Sequence, residues 1–421
     1  MIETVLRGEG QRRLAEVGTA DIVIGIPTYK NARTIAQVGR AAADAITRYF
    51  PGQRGLLAIV DGGSSDETVP TAHSFAIPPA VRRIVTTYQG MQGKGSAVRA
   101  VFEMARQVRA QLVVMLEADV QTLTPEWIQR LSQPVRLREY ELSLPFYKRP
   151  VPDGAVTDLL AYPLTRMLYG LDIRQPMGGE FALTAELAQR LSQKDVWETD
   201  VARHGFDIWL STIAIIERIK LCQVPLGVKI DDSREMLLAL DPTFIQSVGT
   251  LFRMIDIYRR RWLNSNAPRP APFYGSETKS EPPSVRLLPI TTSSLADAFT
   301  AGARRYSRIW KSVLLPTNRE QIKQVADKPG GAYRFPADLW ARVVFDFAVV
   351  YNKGEGDPDK VVAALLPIYY ARAATLMKET GSKPDAIERA VQQQAEVFLA
   401  YKPYLAERWE TYEPWAWDGV R

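Results

Sequence analysis

The sequence predicts an α/β fold with a mostly parallel sheet, followed by a C-terminal α-helical region. Three observations carry the prediction. Short strand-like runs at 22–26, 56–60, 83–88 and 112–116 alternate with segments of helical period, the pattern of parallel strands joined by right-handed crossovers. Polar, glycine-bearing stretches follow these runs and therefore fall at the carboxyl edge of the sheet, where such sheets bind ligands. Beyond residue 292 the periodicity is helical.

In chain order, residues 21–27 read as a buried first strand stopped by Pro27, and Thr28, Tyr29, Lys30 and Asn31 form a loop. Ile35, Val38, Ala42 and Ile46 set a helix over 32–50. The second strand, 56–60, runs into the loop Asp61-Gly62-Gly63-Ser64-Ser65-Asp66. The third, 83–88, runs into Gly93-Lys94-Gly95 and a helix from 97 to about 109, an arrangement suited to offering backbone amides and a cation to a diphosphate. The wider spacing of a Walker loop is absent. Further strands are predicted at 142–147 and 221–230, with 175–181 as a tight loop before a helix that starts near Thr184. Residues 244–263 are apolar at helical spacing, 264–292 are rich in proline and serine, and helices are predicted at 295–310, 336–350, 359–378 and 384–409. The expected division is a nucleotide-binding domain over 1–240 and a helical region over 241–421, in which Trp310, Trp340, Trp409, Trp415 and Trp417 serve core or interface.

Composition narrows the function classes. With 46% hydrophobic and 24% charged residues the chain reads as globular, and its apolar runs fall short of the ~20 residues that span a bilayer. No stable membrane insertion is expected. One cysteine, Cys222, and two histidines argue against a disulfide framework and a structural zinc site, and fit the cytoplasm. A net charge of +6 favours anionic small molecules over nucleic acid. A homo-oligomer is expected.

The chemistry gathers at 115–120. The apolar run ending at Leu116 delivers Glu117 and Asp119, two carboxylates separated by one small residue, Ala118. On extended chain, positions i and i+2 point to the same side, so both acids can face one ion. Hard divalent cations such as Mg²⁺ and Mn²⁺ take oxygen ligands and bridge carboxylates to phosphates.

These loops resemble those of retaining GT-A fold (Rossmann-like) glycosyltransferases. The similarity is carried by Ile26-Pro27-Thr28-Tyr29, the 61–68 loop, Gly93-Lys94-Gly95 and the acid-x-Asp. Phe146-Tyr147-Lys148-Arg149-Pro150, Gln175-Pro176-Met177-Gly178-Gly179-Glu180 and Gly227-Val228-Lys229 narrow the resemblance to the glucosyl-3-phosphoglycerate, glucosylglycerate and mannosylglycerate synthases, over roughly 20–240. The resemblance implies that Pro27, Thr28, Tyr29, Asn31, Asp61, Gly62, Lys94 and Ala118 hold the nucleotide. It places Gly178, Gly179 and Glu180 at the transferred sugar with Asp207 beside it, making Glu180 and Asp207 the catalytic candidates. Gly154, Thr157, Lys148 and Arg149 face the acceptor, and Glu117, Asp119 and Asp231 hold Mg²⁺ or Mn²⁺.

Three departures from the group stand out. Glu117 replaces the usual aspartate, Asp231 (with Asp232 beside it) replaces the usual histidine ligand, and Ala155 stands where the phosphoglycerate enzymes carry an arginine. Arginine is the common bidentate partner of phosphate, so an unphosphorylated acceptor such as glycerate is expected unless Lys148, Arg149 or Arg234 substitutes. The expected function is metal-dependent, retaining hexosyl transfer from UDP-glucose, or from GDP-glucose or GDP-mannose, to a small hydroxy acid, as in compatible-solute synthesis. The rival readings are a glucosyl-3-phosphoglycerate synthase proper, a transferase at a membrane surface, and a non-catalytic sugar-nucleotide-binding protein.

Overall fold

The computed structural model describes residues 4–148, 154–232, 241–265, 267–277, 291–328, 334–381 and 383–414. The chain forms two compact units, one from residues 1–148, 177–233 and 271–286 and the other from 149–176, 234–270 and 287–421. The units therefore alternate along the chain and do not part at residue 240: among the described residues, 154–176 group with the helices and 271–277 with the sheet.

Through the fifth strand the chain runs α1 (Gly8–Val17), β1 (Ile22–Thr28), α2 (Ile35–Tyr49), β2 (Gly55–Asp61), α3 (Thr68–Ser74), β3 (Val81–Thr87), α4 (Lys94–Gln107), β4 (Leu112–Met115), α5 (Pro125–Arg136) and β5 (Leu142–Lys148). After α6 (Tyr162–Tyr169) and β6 (Leu171–Asp172) of the second unit come β7 (Phe181–Thr184), α7 (Ala185–Ser192), α8 (Phe206–Ile216) and β8 (Leu221–Val228). The seven-stranded sheet has the order β3-β2-β1-β4-β7-β5-β8. β1 pairs in parallel with β2 from Ile22 to Thr28 and with β4 only from Ile22 to Gly25. Pro27 does not stop β1, because its missing N–H falls on the β4 side, beyond the last pair of that ladder. Ile22, Ile24 and Ile26 are buried in one core with Val38, Ala42 and Ile46 of α2 and Ile128 and Leu131 of α5, the valine, leucine and isoleucine side chains contributing roughly 1.5–3 kcal/mol each. On the other face Gly25 leaves room for α4: a Cβ there would lie 2.5 Å from Val101.

β7 is the strand of the large sheet that the sequence pattern misses. Four residues after a glycine pair are too few to register a strand period, yet Phe181 to Thr184 pair antiparallel with β4, Met115 facing Phe181. β5 also pairs antiparallel with β7 and parallel with β8. Because β7 runs opposite to β4, it begins where β4 ends, and so the loop over 177–180 meets the carboxyl edge of the sheet. Part of the proline-rich stretch covers the β8 edge: Gln223 N–H donates to Pro272 O at 2.7 Å and Tyr274 N–H to Gln223 O at 2.8 Å.

The second unit is helical: α9 (Asp241–Ile257), α10 (Arg259–Leu263), α11 (Thr292–Arg305), α12 (Ser307–Val313), α13 (Pro316–Ala326), α14 (Ala337–Lys353), α15 (Pro358–Thr380), α16 (Pro384–Ala400) and α17 (Lys402–Glu410), with β9 (Arg269–Pro270) pairing β6. Three segments expected as single helices break, at Tyr258, Tyr306 and Tyr401. α13 escapes the apolar pattern because Ile322 and Val325 are its only buried hydrophobic residues. α15 has the length and apolarity of a bilayer span, but it forms this unit's core. Trp310, Trp340 and Trp409 are buried as expected; Trp415 and Trp417 lie outside the described residues.

Candidate active site

Two backbone devices bring the acids together. Beyond β4, residues 119–121 form a short antiparallel bridge with 230–232: Gln121 N–H donates to Ile230 O at 2.9 Å, and Asp232 N–H to Asp119 O at 2.8 Å. The bridge sets Asp119 beside Asp231, so that Glu117, Asp119 and Asp231 each bring a ligand oxygen within 4.8 Å of the others. The loop entering β7 passes over Glu117. Gly179 has φ +89°, and a Cβ there would lie 2.2 Å from the Glu117 carboxylate, so only glycine fits this approach.

Two lysines are set into this acidic edge. Lys94, the first residue of α4, donates to Glu117 Oε1 at 2.7 Å and to Asp207 Oδ2 at 2.6 Å. Lys229, fully buried, donates to Glu117 Oε2 at 2.5 Å and to both oxygens of Glu180 at 3.1 and 2.9 Å. Tyr147 Oη adds a 2.5 Å bond to Glu180 Oε2. Burial opposes charge on Lys94, but the Asp207 and Glu117 carboxylates outweigh it and hold the ammonium above its ordinary pKa. Glu117 is held below the usual carboxylate range against its burial, first by Lys229 and then by Lys94. Asp119 goes the other way: burial, then Asp231 and Glu117, push it up to about 8. The edge thus carries five acids (Glu117, Asp119, Glu180, Asp207, Asp231) and two lysines, a surplus of negative charge that a divalent cation on oxygen ligands would offset.

The remaining predicted residues fall as follows. Pro27, Thr28, Tyr29 and Asn31 stand at the end of β1: Asn31 Oδ1 accepts from Thr28 Oγ1 at 3.0 Å and from Tyr29 N–H at 2.9 Å, and the Tyr29 ring is 56% exposed. Asp61, at the end of β2, turns inward, its carboxylate accepting from Gly63 and Ser64 N–H at 2.8 Å each and from Ser64 Oγ at 2.6 Å; it shapes the Gly62 loop. The amides expected at a diphosphate are committed elsewhere. Gly93 N–H donates to Tyr88 Oη at 2.8 Å and Gly95 N–H to Arg203 O at 3.0 Å, which leaves Lys94 as what that loop presents to the acids. Glu180 and Asp207, the catalytic candidates, both stand at the edge but inside ion pairs, and Gly178 gives its carbonyl to Lys229 at 3.1 Å. Ala118 is buried. Asp232 is held by Arg33 at 2.7 Å and Gln121 at 2.9 Å. Lys148 ends β5, half-exposed and 3.8 Å from Glu277. Gly154 and Thr157 open the helical turn before α6 in the second unit, Thr157 buried. Arg149 and Arg234 lie outside the described residues. Lys229 and Tyr147 received no role from sequence: a lysine near a strand end looks like a solvent-facing one until its neighbours are known.

Residues 23–155 match the family profile described as Glycosyl transferase family 2. With the sheet topology, this makes the chain a glycosyltransferase of GT-A-like fold. The chain is similar to the glucosyl-3-phosphoglycerate synthase of Petrotoga mobilis, 23% identical over 266 residues that cover 60% of this chain and 79% of the relative. Among solved structures it is similar to the glucosyl-3-phosphoglycerate synthase of Mycobacterium tuberculosis. The complex of that enzyme with Mn²⁺, UDP-glucose and phosphoglyceric acid shares 22% identity over 58% of this chain and 82% of the other, with a TM-score of 0.43. Its complex with Mg²⁺ and UDP shares 21% identity over 61% and 84%, with a TM-score of 0.43.

Proposed function

We propose that this chain transfers a hexose, with retention, from a nucleotide-diphospho-sugar to the hydroxyl of a small hydroxy acid, using Mg²⁺ or Mn²⁺ held by Asp119 and Asp231 with Glu117 beside them. The observation that carries the reading is the Val120–Asp231 bridge at the carboxyl edge of the sheet, which sets Asp119 and Asp231 side by side, next to Lys94 at a helix N-terminus. The all-oxygen donor set suits Mg²⁺ or Mn²⁺, and Asp119, pushed up to about 8 by burial and then by Asp231 and Glu117, belongs to a set short of positive charge. The ion supplies charge stabilisation to the departing diphosphate. The chain's own residues do the rest: the 27–31 and 61–62 loops receive the nucleoside, Tyr29 offering its exposed ring to the base. Asp207 fixes Lys94 toward the diphosphate. Glu180, locked by Lys229 and Tyr147, sets the Gly178–Gly179 turn on the sugar side.

UDP-glucose is the first donor to test, with GDP-glucose and GDP-mannose after it. The acceptor we assign is unphosphorylated glycerate or a close analogue. Lys148, the described cation of the 148–157 acceptor segment, is shared with Glu277, and Ala155 contributes none. A charge-assisted bond to phosphate is worth roughly 1.5–3 kcal/mol, so its loss costs ~10 to 100-fold in affinity. A donor-by-acceptor screen reading kcat/KM tests the assignment: glycerate is expected to exceed 3-phosphoglycerate, and the reverse order refutes the acceptor reading. A reducing, cytoplasmic setting fits the single buried thiol, Cys222.

A further inference from the structure

Lys229 carries no substrate-facing surface. Its side chain is 0% exposed, and its ammonium lies 2.5 Å from Glu117 Oε2, 2.9 and 3.1 Å from the Glu180 oxygens, 3.1 Å from Gly178 O and 3.6 Å from Asp231 Oδ1, with the Tyr147 ring centre at 5.4 Å. Lys94 takes the other Glu117 oxygen at 2.7 Å. Both oxygens of Glu117 are therefore directed at ammonium groups, whereas no lysine or arginine pairs with Asp119 among the described residues. For Glu117 to turn to a metal, one of two largely buried lysines would have to give up one of its two carboxylate partners, and with it a charge-assisted hydrogen bond in a desolvated site.

We propose that Lys229 is a positioning residue which, with Lys94, holds Glu117 out of the coordination shell and confines the divalent cation to Asp119 and Asp231. The inference rests on the metal reading given above. Lys229 acts here as a fixed internal cation that sets how many carboxylates the exchangeable one can reach. Removing its ammonium frees Glu117 Oε2 and deletes a positive charge 3.6 Å from Asp231, and both changes tighten divalent binding.

The test is Mn²⁺ binding to nucleotide-free protein, followed by electron paramagnetic resonance in the parent chain and in E117Q, K229M, the K229M/E117Q double variant and D119N. E117Q is expected to bind Mn²⁺ within tenfold of the parent, and D119N at least a hundredfold more weakly. K229M is expected to bind at least tenfold more tightly, and the added E117Q change to remove most of that gain, leaving the part owed to the charge deleted beside Asp231. E117Q as damaging as D119N, or K229M binding no more tightly than the parent, overturns the role of Lys229 while leaving the metal site standing. A parent chain that binds no Mn²⁺, or a D119N variant equal to it, removes the metal reading itself and the proposal with it. If K229M does not fold, the comparison of E117Q with D119N still decides.

Discussion

Two buried acidic groups, one in each unit, show how a structural carboxylate differs from a working one. In the helical unit Asp346 is fully buried, and its oxygens accept from Leu315 N–H at 3.1 Å, Asn318 Nδ2 at 2.8 Å, Tyr404 Oη at 2.7 Å and Arg408 Nε at 3.3 Å. One acid meets one guanidinium and three neutral donors, and the charges close. At the sheet edge five acids share two lysines, and Asp119 is left between like charges. A group that serves only the fold is arranged to need nothing more, whereas a group that binds a cation is left wanting one.

The largest effect that separates the two is on stability. Asp346→Ala strands Arg408 and the neutral donors, and is expected to cost about 3–5 kcal/mol in urea unfolding while leaving kcat/KM of the folded fraction unchanged. Asp119→Asn removes like-charge repulsion, so the metal-free protein is expected to unfold at the same or a higher urea concentration. Equal losses in the two variants would erase the distinction.

Next comes Gly179→Ala, which would place a Cβ 2.2 Å from a carboxylate that two lysines hold in place, at φ +89°. Transfer is expected to fall ~10 to 100-fold, or roughly 1.4–2.8 kcal/mol in the barrier, with secondary structure intact by circular dichroism. An undiminished rate would show that the loop does not need its close approach to Glu117.

A pH series sharpens the same contrast. Burial, Asp231 and Glu117 raise Asp119 from 3.8 to about 8, so in this window the metal-free folded state holds a proton that the unfolded chain releases. The stability linked to this group is fully present below pH 3.8 and is lost as pH rises toward 8. A cation must displace that proton, so Mn²⁺ affinity is expected to fall about tenfold for each unit below pH 8. Calorimetry in buffers of different ionisation enthalpy should count one proton released near pH 7; zero would contradict the assignment.

The smallest effect lies at the surface. Arg54 holds Asp21 at about 2 through its side-chain and backbone hydrogen bonds, so this pair stabilises above pH 3.8 and stops doing so as pH falls through 2. With Arg54 61% exposed, Arg54→Ala is expected to leave the urea midpoint almost unmoved and activity untouched.

Much of this was legible in the residues. The Glu117-Ala118-Asp119 triplet announces itself because an apolar run ends on two acids at strand spacing, and β1 to β4 follow from alternation alone. Asp231 was visible only through resemblance, since nothing local marks one acid of an Asp-Asp pair as facing a strand 110 residues earlier in the chain. β7 stayed hidden because its four residues take their structure from β4 and β5, and Lys229 because its burial is a property of its neighbours. The Gly93–Gly95 amides misled for a related reason: a helix N-terminus looks open until Tyr88 and Arg203 are found on it.

Metal-dependent transfer at the Asp119 and Asp231 carboxylates is tested most directly by kcat/KM for glucose transfer from UDP-glucose to glycerate, measured after chelation and again after adding Mn²⁺, in the parent chain and in Asp119→Asn. The parent is expected to lose at least about 100-fold on chelation and to recover fully with Mn²⁺, and the variant to stay down by that factor in both conditions. An Asp119→Asn protein that works at the parent rate would contradict the assignment.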